Sequence, residues 1–384
     1  MHTFAALSQP CVLAIGIAMS MASFSLGAAA GTPAAEPDAI ALAELSGFAL
    51  GLEAAGQFSG VVLVASDGEI VFEKAYGKVD ETQDARITAR TRFNLASAGK
   101  MFTSTAVLQQ VAAGRLTLDT TVGEVLKDYP NRDFASTVTV RHLLTHTSGA
   151  GDIDLFGLEN AENRKRARSV ADMVALHGDR PPAFTPGSKQ EYGNFAYVVL
   201  GRMVEVLSDQ DYETYIKQHI FEPAGMVRTG FRDCADAAPD IAVGYATVNG
   251  ARRSNCVTQP TRGFPAGGQL STAGDMLLFV EALRSGKLLP LALLTEAIAP
   301  QREFMGLGFF ATGYGPDVPK RDFRWGHGGS TDGACTDVRT YPATAETIVV
   351  LSNTDAPACF AVTNFLHEQC SIRNPGTPAQ PATP

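Results

Sequence analysis

The chain has 384 residues, 45% of them hydrophobic and 18% charged, with a formal net charge of -9. This size and composition suit one large packed domain or two small ones and exclude a globally disordered chain. The acidic balance argues against a nucleic-acid partner, because the one basic run, Arg164-Lys165-Arg166-Ala167-Arg168, is short and lies in a polar stretch.

Residues 1–30 contain no Asp, Glu, Lys or Arg, and Val12 to Leu26 is apolar, with Ala28-Ala29-Ala30 after it. The pattern reads as an export signal, although only His2 stands for the usual positive start. The apolar run is shorter than the roughly 20 residues of a membrane span. The expectation is a mature protein starting near Gly31, periplasmic or secreted, with no stable membrane insertion after signal removal. In an oxidising compartment disulfides persist. Cys234 and Cys256 flank one stretch and could pair. Cys335, Cys359 and Cys370 leave at least one thiol over once Cys11 has gone with the signal.

Asp38 to Ala55 is rich in Ala and Leu and predicts a helix. Gly60 to Ala65 and Glu69 to Tyr76 are β-prone runs around Ser66-Asp67-Gly68, a hairpin signal. Arg92 to Leu95 leads into a helix from about Ser97 to Ala113, with Gly114 as the residue just past its end. Residues 115–260 read mostly as helices and loops, Phe195 to Leu207 being the clearest helix. Strand-like runs return at Arg321 to Trp325, Ala334 to Tyr341 and Thr347 to Ser352, and a last helix spans about Ala358 to Cys370. The Pro-, Thr- and Ala-containing tail 374–384 reads as disordered. Strands at both ends around a helical middle predict an α+β domain over 31–373, one sheet assembled from distant segments with a helical insertion at about 115–260.

Three short motifs can carry chemistry. Ser97-Ala98-Gly99-Lys100 places a hydroxyl and an amine three residues apart, on one helical face. A serine needs a base before it attacks, and a desolvated, neutral lysine can serve. The start of a helix adds a free N–H for an oxyanion. Taken alone the motif is weak, since about one copy is expected by chance in a chain this long. Tyr192-Gly193-Asn194 offers a phenol for proton transfer and an amide for a substrate carbonyl. Tyr129-Pro130-Asn131 has the same spacing, but its charged flanks read as a surface turn. His327-Gly328-Gly329-Ser330 lets a strand edge come close to substrate, with the Ser330 N–H as a second oxyanion donor. His142 and His146 have a metal-ligand spacing, but Leu143 stands where a metalloprotease has Glu, so no metal is expected. No G-x-S-x-G elbow of an α/β-hydrolase occurs.

Together the three motifs resemble those of serine β-lactamases and penicillin-binding proteins, in the same order. The flanks Phe93-Asn94-Leu95-Ala96, His142-Leu143-Leu144-Thr145-His146-Thr147-Ser148-Gly149, Pro186-Gly187-Ser188 and Gly268-Gln269-Leu270-Ser271-Thr272 are similar to the class C branch, with its D,D-peptidase, D-aminopeptidase and esterase relatives. The resemblance covers about residues 40–370. It implies a β-lactamase/transpeptidase-like fold, an antiparallel sheet flanked by helices beside an all-helical subdomain, with the site in the crevice. It further implies Ser97 as nucleophile, Lys100 as its proton partner and Tyr192 as general base and acid. Asn194, His327, Gly329 and Ser330 would serve substrate and oxyanion. No cofactor is implied, and the partner is a small-molecule or peptide substrate.

One departure matters. His327 stands where β-lactamases proper have the Lys of Lys-Thr-Gly, which disfavours β-lactam turnover and favours short-chain esters or D-amino-acid peptides. An imidazolium at 327, or Arg324 or Arg339, could restore a cation for an anionic substrate. With His327 in that role, kcat/KM would fall as pH rises through the histidine pKa. The alternative function is a non-turnover penicillin- or peptidoglycan-binding protein with the same fold.

Overall fold

Alternation along the first strand sets the architecture. In β1 (Gly60–Ser66) Val61, Leu63 and Ala65 enter one apolar cluster, while Val62 and Val64 enter another on the opposite face. Successive strand side chains point to opposite sides, so a run buried throughout must be covered on both. The computed structural model describes residues 39–153, 161–233, 236, 238–260 and 262–368. The expected signal, the start and end of the 31–373 domain, Cys234, Cys370 and the tail 374–384 lie outside them.

The main sheet is six-stranded and antiparallel. Besides β1 it contains β2 (Glu69–Tyr76), β3 (Phe310–Thr312), β4 (Arg324–Thr331), β5 (Ala334–Tyr341) and β6 (Glu346–Ser352), in the order β2-β1-β6-β5-β4-β3. The β1–β2 hairpin turns at Asp67 and Gly68, both at positive φ, as the Asp-Gly signal predicts. On one face lie α1 (Ala39–Ala54) and the last helix, Ala358–Glu368. They share a cluster with Val62, Val64, Ile348 and Val350. A disulfide between Cys335 on β5 and Cys359 ties that last helix to the sheet, and Cys256 is also disulfide-bonded. On the other face lie α2 (Lys100–Ala112) and the helix Ala273–Arg284.

The described residues between 115 and 260 form mostly helices and loops, with Phe195–Ser208 the longest helix among them. Two readings there need correction. Tyr245–Val248 and Ala251–Ser254 form a two-stranded ribbon whose turn is Asn249-Gly250, both at positive φ. This is a standard hairpin signal that the surrounding loop composition masked. Tyr129 is buried and stacked on Phe134 rather than placed in a surface turn, and Asn131 caps the helix Arg132–Thr137 through the Phe134 N–H. No helix among the described residues is long and apolar enough to cross a membrane.

The strand expected at Arg321 to Trp325 begins at Arg324 and runs on to Thr331, so His327-Gly328-Gly329-Ser330 is strand. Strand β3 pairs only with Arg324 to Gly326. The stretch from His327 onward therefore passes beyond β3, and Gly329 lies against the turn that carries Ser97, while Gly328 faces Phe360.

Helix α2 anchors that turn through Phe102, fully buried edge-on against Phe221 and Phe279 at 5.0 and 4.9 Å. Phe102→Ala is expected to cost about 3–5 kcal/mol of unfolding free energy through lost burial and a cavity. Denaturant unfolding of the variant beside the parent chain checks this.

Candidate active site

Ser97 sits in a 3-10 turn, Ala96–Gly99, that runs straight into α2. Ala96 is held at φ 44°, a left-handed conformation costly for a residue with a Cβ. Two bonds hold it there. Its N–H donates to Asn94 Oδ1 at 2.8 Å, and its carbonyl accepts from the Gly268 N–H at 3.0 Å. A Cβ on Gly329 would lie 2.7 Å from the Ser97 nitrogen and 2.8 Å from that of Ala98. Gly329 is thus required for β4 to approach the Ser97 backbone, whereas the motif alone suggested an approach to substrate. It brings Ser330, the next residue, beside the Ser97 turn. A cleft of about 600 Å3 opens there, lined by Ser97, Asn194, Ser330, Asn94 and Gln259 among others.

Lys100 is fully buried, with its amine 3.2 Å from Ser97 Oγ, 2.7 Å from Asn194 Oδ1 and 2.7 Å from the Ala266 carbonyl. Burial pulls its pKa down to about 7, against the opposing pull of the Asp152 carboxylate. As an ammonium it donates three bonds to three acceptors. As a neutral amine it must find a donor for its lone pair. The Ala266 carbonyl cannot donate. Asn194 turns its Oδ1 to the lysine, because its Nδ2 donates to Asp152 Oδ1 at 2.9 Å. Ser97 Oγ is the one partner of the three that carries a proton it can give.

Asp152 was not visible as a site residue in the sequence. It lies in a Gly- and Ala-rich loop, and no motif spacing marks it. Its Oδ1 also accepts the Asn194 N–H at 3.3 Å and the Ile153 N–H at 2.8 Å. Both polar atoms of the Asn194 side chain have protein partners, so it orients Lys100 from the wall of the cleft that it also lines.

Tyr192 is 43% exposed as a residue, yet its hydroxyl interacts with Ser97 and its ring lies 4.9 Å from the Lys100 amine. Burial of the phenol pushes its pKa up, and the Ser97 hydrogen bond only partly offsets this. The free site therefore holds a neutral phenol.

His327 departs further from expectation. It is buried, stacked on Phe310 at 3.9 Å, and its pKa is pushed down to about 3 by burial and by the Lys100 amine. An imidazolium at this position would have to sit desolvated beside an ammonium. Of the two arginines that could have replaced it, Arg339 pairs with Asp337 at 2.8 Å and Arg324 donates to the Asp322 carbonyl. His142 and His146 do not converge on a metal. His142 Nδ1 accepts the Thr139 N–H and His146 Nδ1 the Gly193 N–H, and no metal-holding cluster occurs among the described residues.

A model of the beta-lactamase family matches residues 48–369. The chain belongs to the beta-lactamase family. Among its relatives, PbpX of Bacillus subtilis is 31% identical over 255 residues, covering 66% of this chain and 62% of PbpX. The chain thus spans less than two thirds of PbpX. Penicillin-binding protein 4 of Amycolatopsis lactamdurans is 28% identical over 83% of this chain and 87% of its own. Among solved structures, a penicillin-binding protein from Bacillus halodurans superposes with a TM-score of 0.73 at 26% identity. It covers 82% of this chain and 98% of that one. A D-stereospecific amidohydrolase from Streptomyces sp. superposes at 0.69 with 25% identity, over 86% and 99%. The fold is thus β-lactamase/transpeptidase-like.

Removing the Asp152 charge removes the pull that raises the Lys100 pKa, so Asp152→Asn should lower it further. NMR titration of the lysine amines should show one midpoint near 7 in the parent chain, moved to lower pH in the variant. A parent midpoint near 10 would contradict a buried, desolvated amine.

Proposed function

We propose that the chain is a serine hydrolase acting through an acyl-enzyme at Ser97. The observation that carries this is the Lys100 environment, in which the lone pair of the neutral amine can meet only the Ser97 hydroxyl proton. Lys100 takes that proton as Ser97 Oγ attacks an amide or ester carbonyl. The N–H groups of Ser97 and Ser330 receive the oxyanion. Tyr192, a neutral phenol, gives its proton to the leaving group, which leaves a Tyr192 phenolate beside the Lys100 ammonium. Water then attacks the acyl-ester, the phenolate takes the water proton, and Lys100 returns its proton to Ser97 Oγ as the acyl group departs. The direction of the two pKa shifts gives the base role to Lys100 and the relay role to Tyr192.

The neutral, buried His327 supplies no fixed cation for a β-lactam or peptide carboxylate. This favours short-chain esters and D-amino-acid amides or peptides over β-lactams, in keeping with the amidohydrolase named above. The apolar residues 1–30 favour export, with action in the periplasm or outside the cell. N-terminal sequencing of the native protein should then begin near Gly31, and an intact Met1 in a cytosolic fraction would refute export.

A fluorophosphonate should label Ser97, and Ser97→Ala should abolish labelling and turnover while leaving the fold intact. Label mapped to another serine would overturn the mechanism. Labelling without turnover of any ester or D-amino-acid amide would make the chain a non-turnover binder instead.

For a neutral ester, kcat/KM should rise about tenfold per pH unit up to about pH 7 and then level off, because deprotonated Lys100 is the active form. A fall across the same range would restore the imidazolium at His327. Cephalosporin turnover equal to that of a dedicated β-lactamase would show that a cation at position 327 is dispensable.

A further inference from the structure

We propose that His146 is the positioning residue for Tyr192, gripping the backbone on both sides of it and stacking on its ring. The inference rests on the reading of Tyr192 as the proton relay. Tyr192 is 43% exposed as a residue, so the orientation of its hydroxyl over Ser97 depends on contacts to its backbone and one ring face. His146 supplies them from one position. Its carbonyl accepts the Glu191 N–H at 2.9 Å, and its Nδ1 accepts the Gly193 N–H at 3.3 Å. These are the residues immediately before and after Tyr192. Its ring lies 4.2 Å from the Tyr192 ring and 5.2 Å from that of Tyr197, tilted by 31° and 32°.

His146 is itself buried, 1% exposed, at a backbone φ of 56°. Accepting at Nδ1 leaves the proton of the neutral ring on Nε2. Burial and the Lys100 amine, followed by His327 and the Gly193 N–H, set this state, and the net effect holds the ring neutral. A phenyl ring would keep the stack and lose the acceptor. Asparagine would keep an acceptor at the same atomic position and tolerate the left-handed backbone.

The test is hydrolysis of p-nitrophenyl butyrate, with fluorophosphonate labelling of Ser97 and thermal melting alongside. His146→Phe should lower kcat about 10- to 100-fold with KM changed less than about threefold, the signature of a misplaced relay rather than lost binding. His146→Asn should recover kcat to within about fivefold of the parent. In a Tyr192→Phe background, His146→Phe should cost less than about twofold, because the two residues act as one unit. If His146→Phe does not fold, His146→Gly, which suits a φ of 56°, takes its place in the cycle. Full kcat in the folded His146 variant, or a loss undiminished in the Tyr192→Phe background, overturns the inference alone. Parent-level kcat in Tyr192→Phe by itself overturns the relay reading and the inference with it.

Discussion

A single buried amine organises this molecule. Lys100 has no access to water, so every hydrogen bond it makes must come from the protein. Its partners come from the Ser97 turn, the residue that opens the helix Phe195–Ser208, and the loop ending in Ala266. Three segments far apart in sequence are therefore bound to one nitrogen. The apolar sheet faces and the rings of Phe102, Phe221 and Phe279 hold those segments in place, so the core and the site are one construction.

Desolvation does the chemical work. It brings an amine that is ordinarily an ammonium down to about 7 and pushes the neighbouring phenol up. It also keeps His327 and His146 uncharged beside the lysine. A second cation in this space would raise the cost of burying Lys100⁺, so two neutral imidazoles are the compatible neighbours. The Asp152–Asn194–Lys100 chain opposes desolvation just enough to leave the amine near neutrality, where it can both accept and return a proton.

Close backbone approach is the second constraint. Gly329 lets β4 press on the Ser97 turn, and Ala96 accepts a left-handed φ in the turn that lines the cleft with Ser97. The left-handed φ at Ala96, next to Ser97, is retained because bonds with Asn94 and Gly268 over-determine it.

Much of this was legible in the chain. The β-prone run Gly60 to Ala65, the Asp67-Gly68 turn and Gly114 after α2 are local signals, and local sterics decide them. The i, i+3 spacing of Ser97 and Lys100 follows from helix periodicity alone, and the order of the three motifs pointed to the family. The tertiary structure decided what those residues are for. Lys100 becomes a buried amine with a lowered pKa, Asn194 its brace and His327 a neutral wall through burial and through partners up to 166 residues away in the chain. Asp152 carries no motif, and His146 stood out only for its spacing from His142 and its family-like flank; where each acts lies in where the fold puts it. A pattern along the chain encodes neighbours a few residues apart, but a pKa and a hydrogen-bond role depend on the dielectric and the partners that only folding assembles.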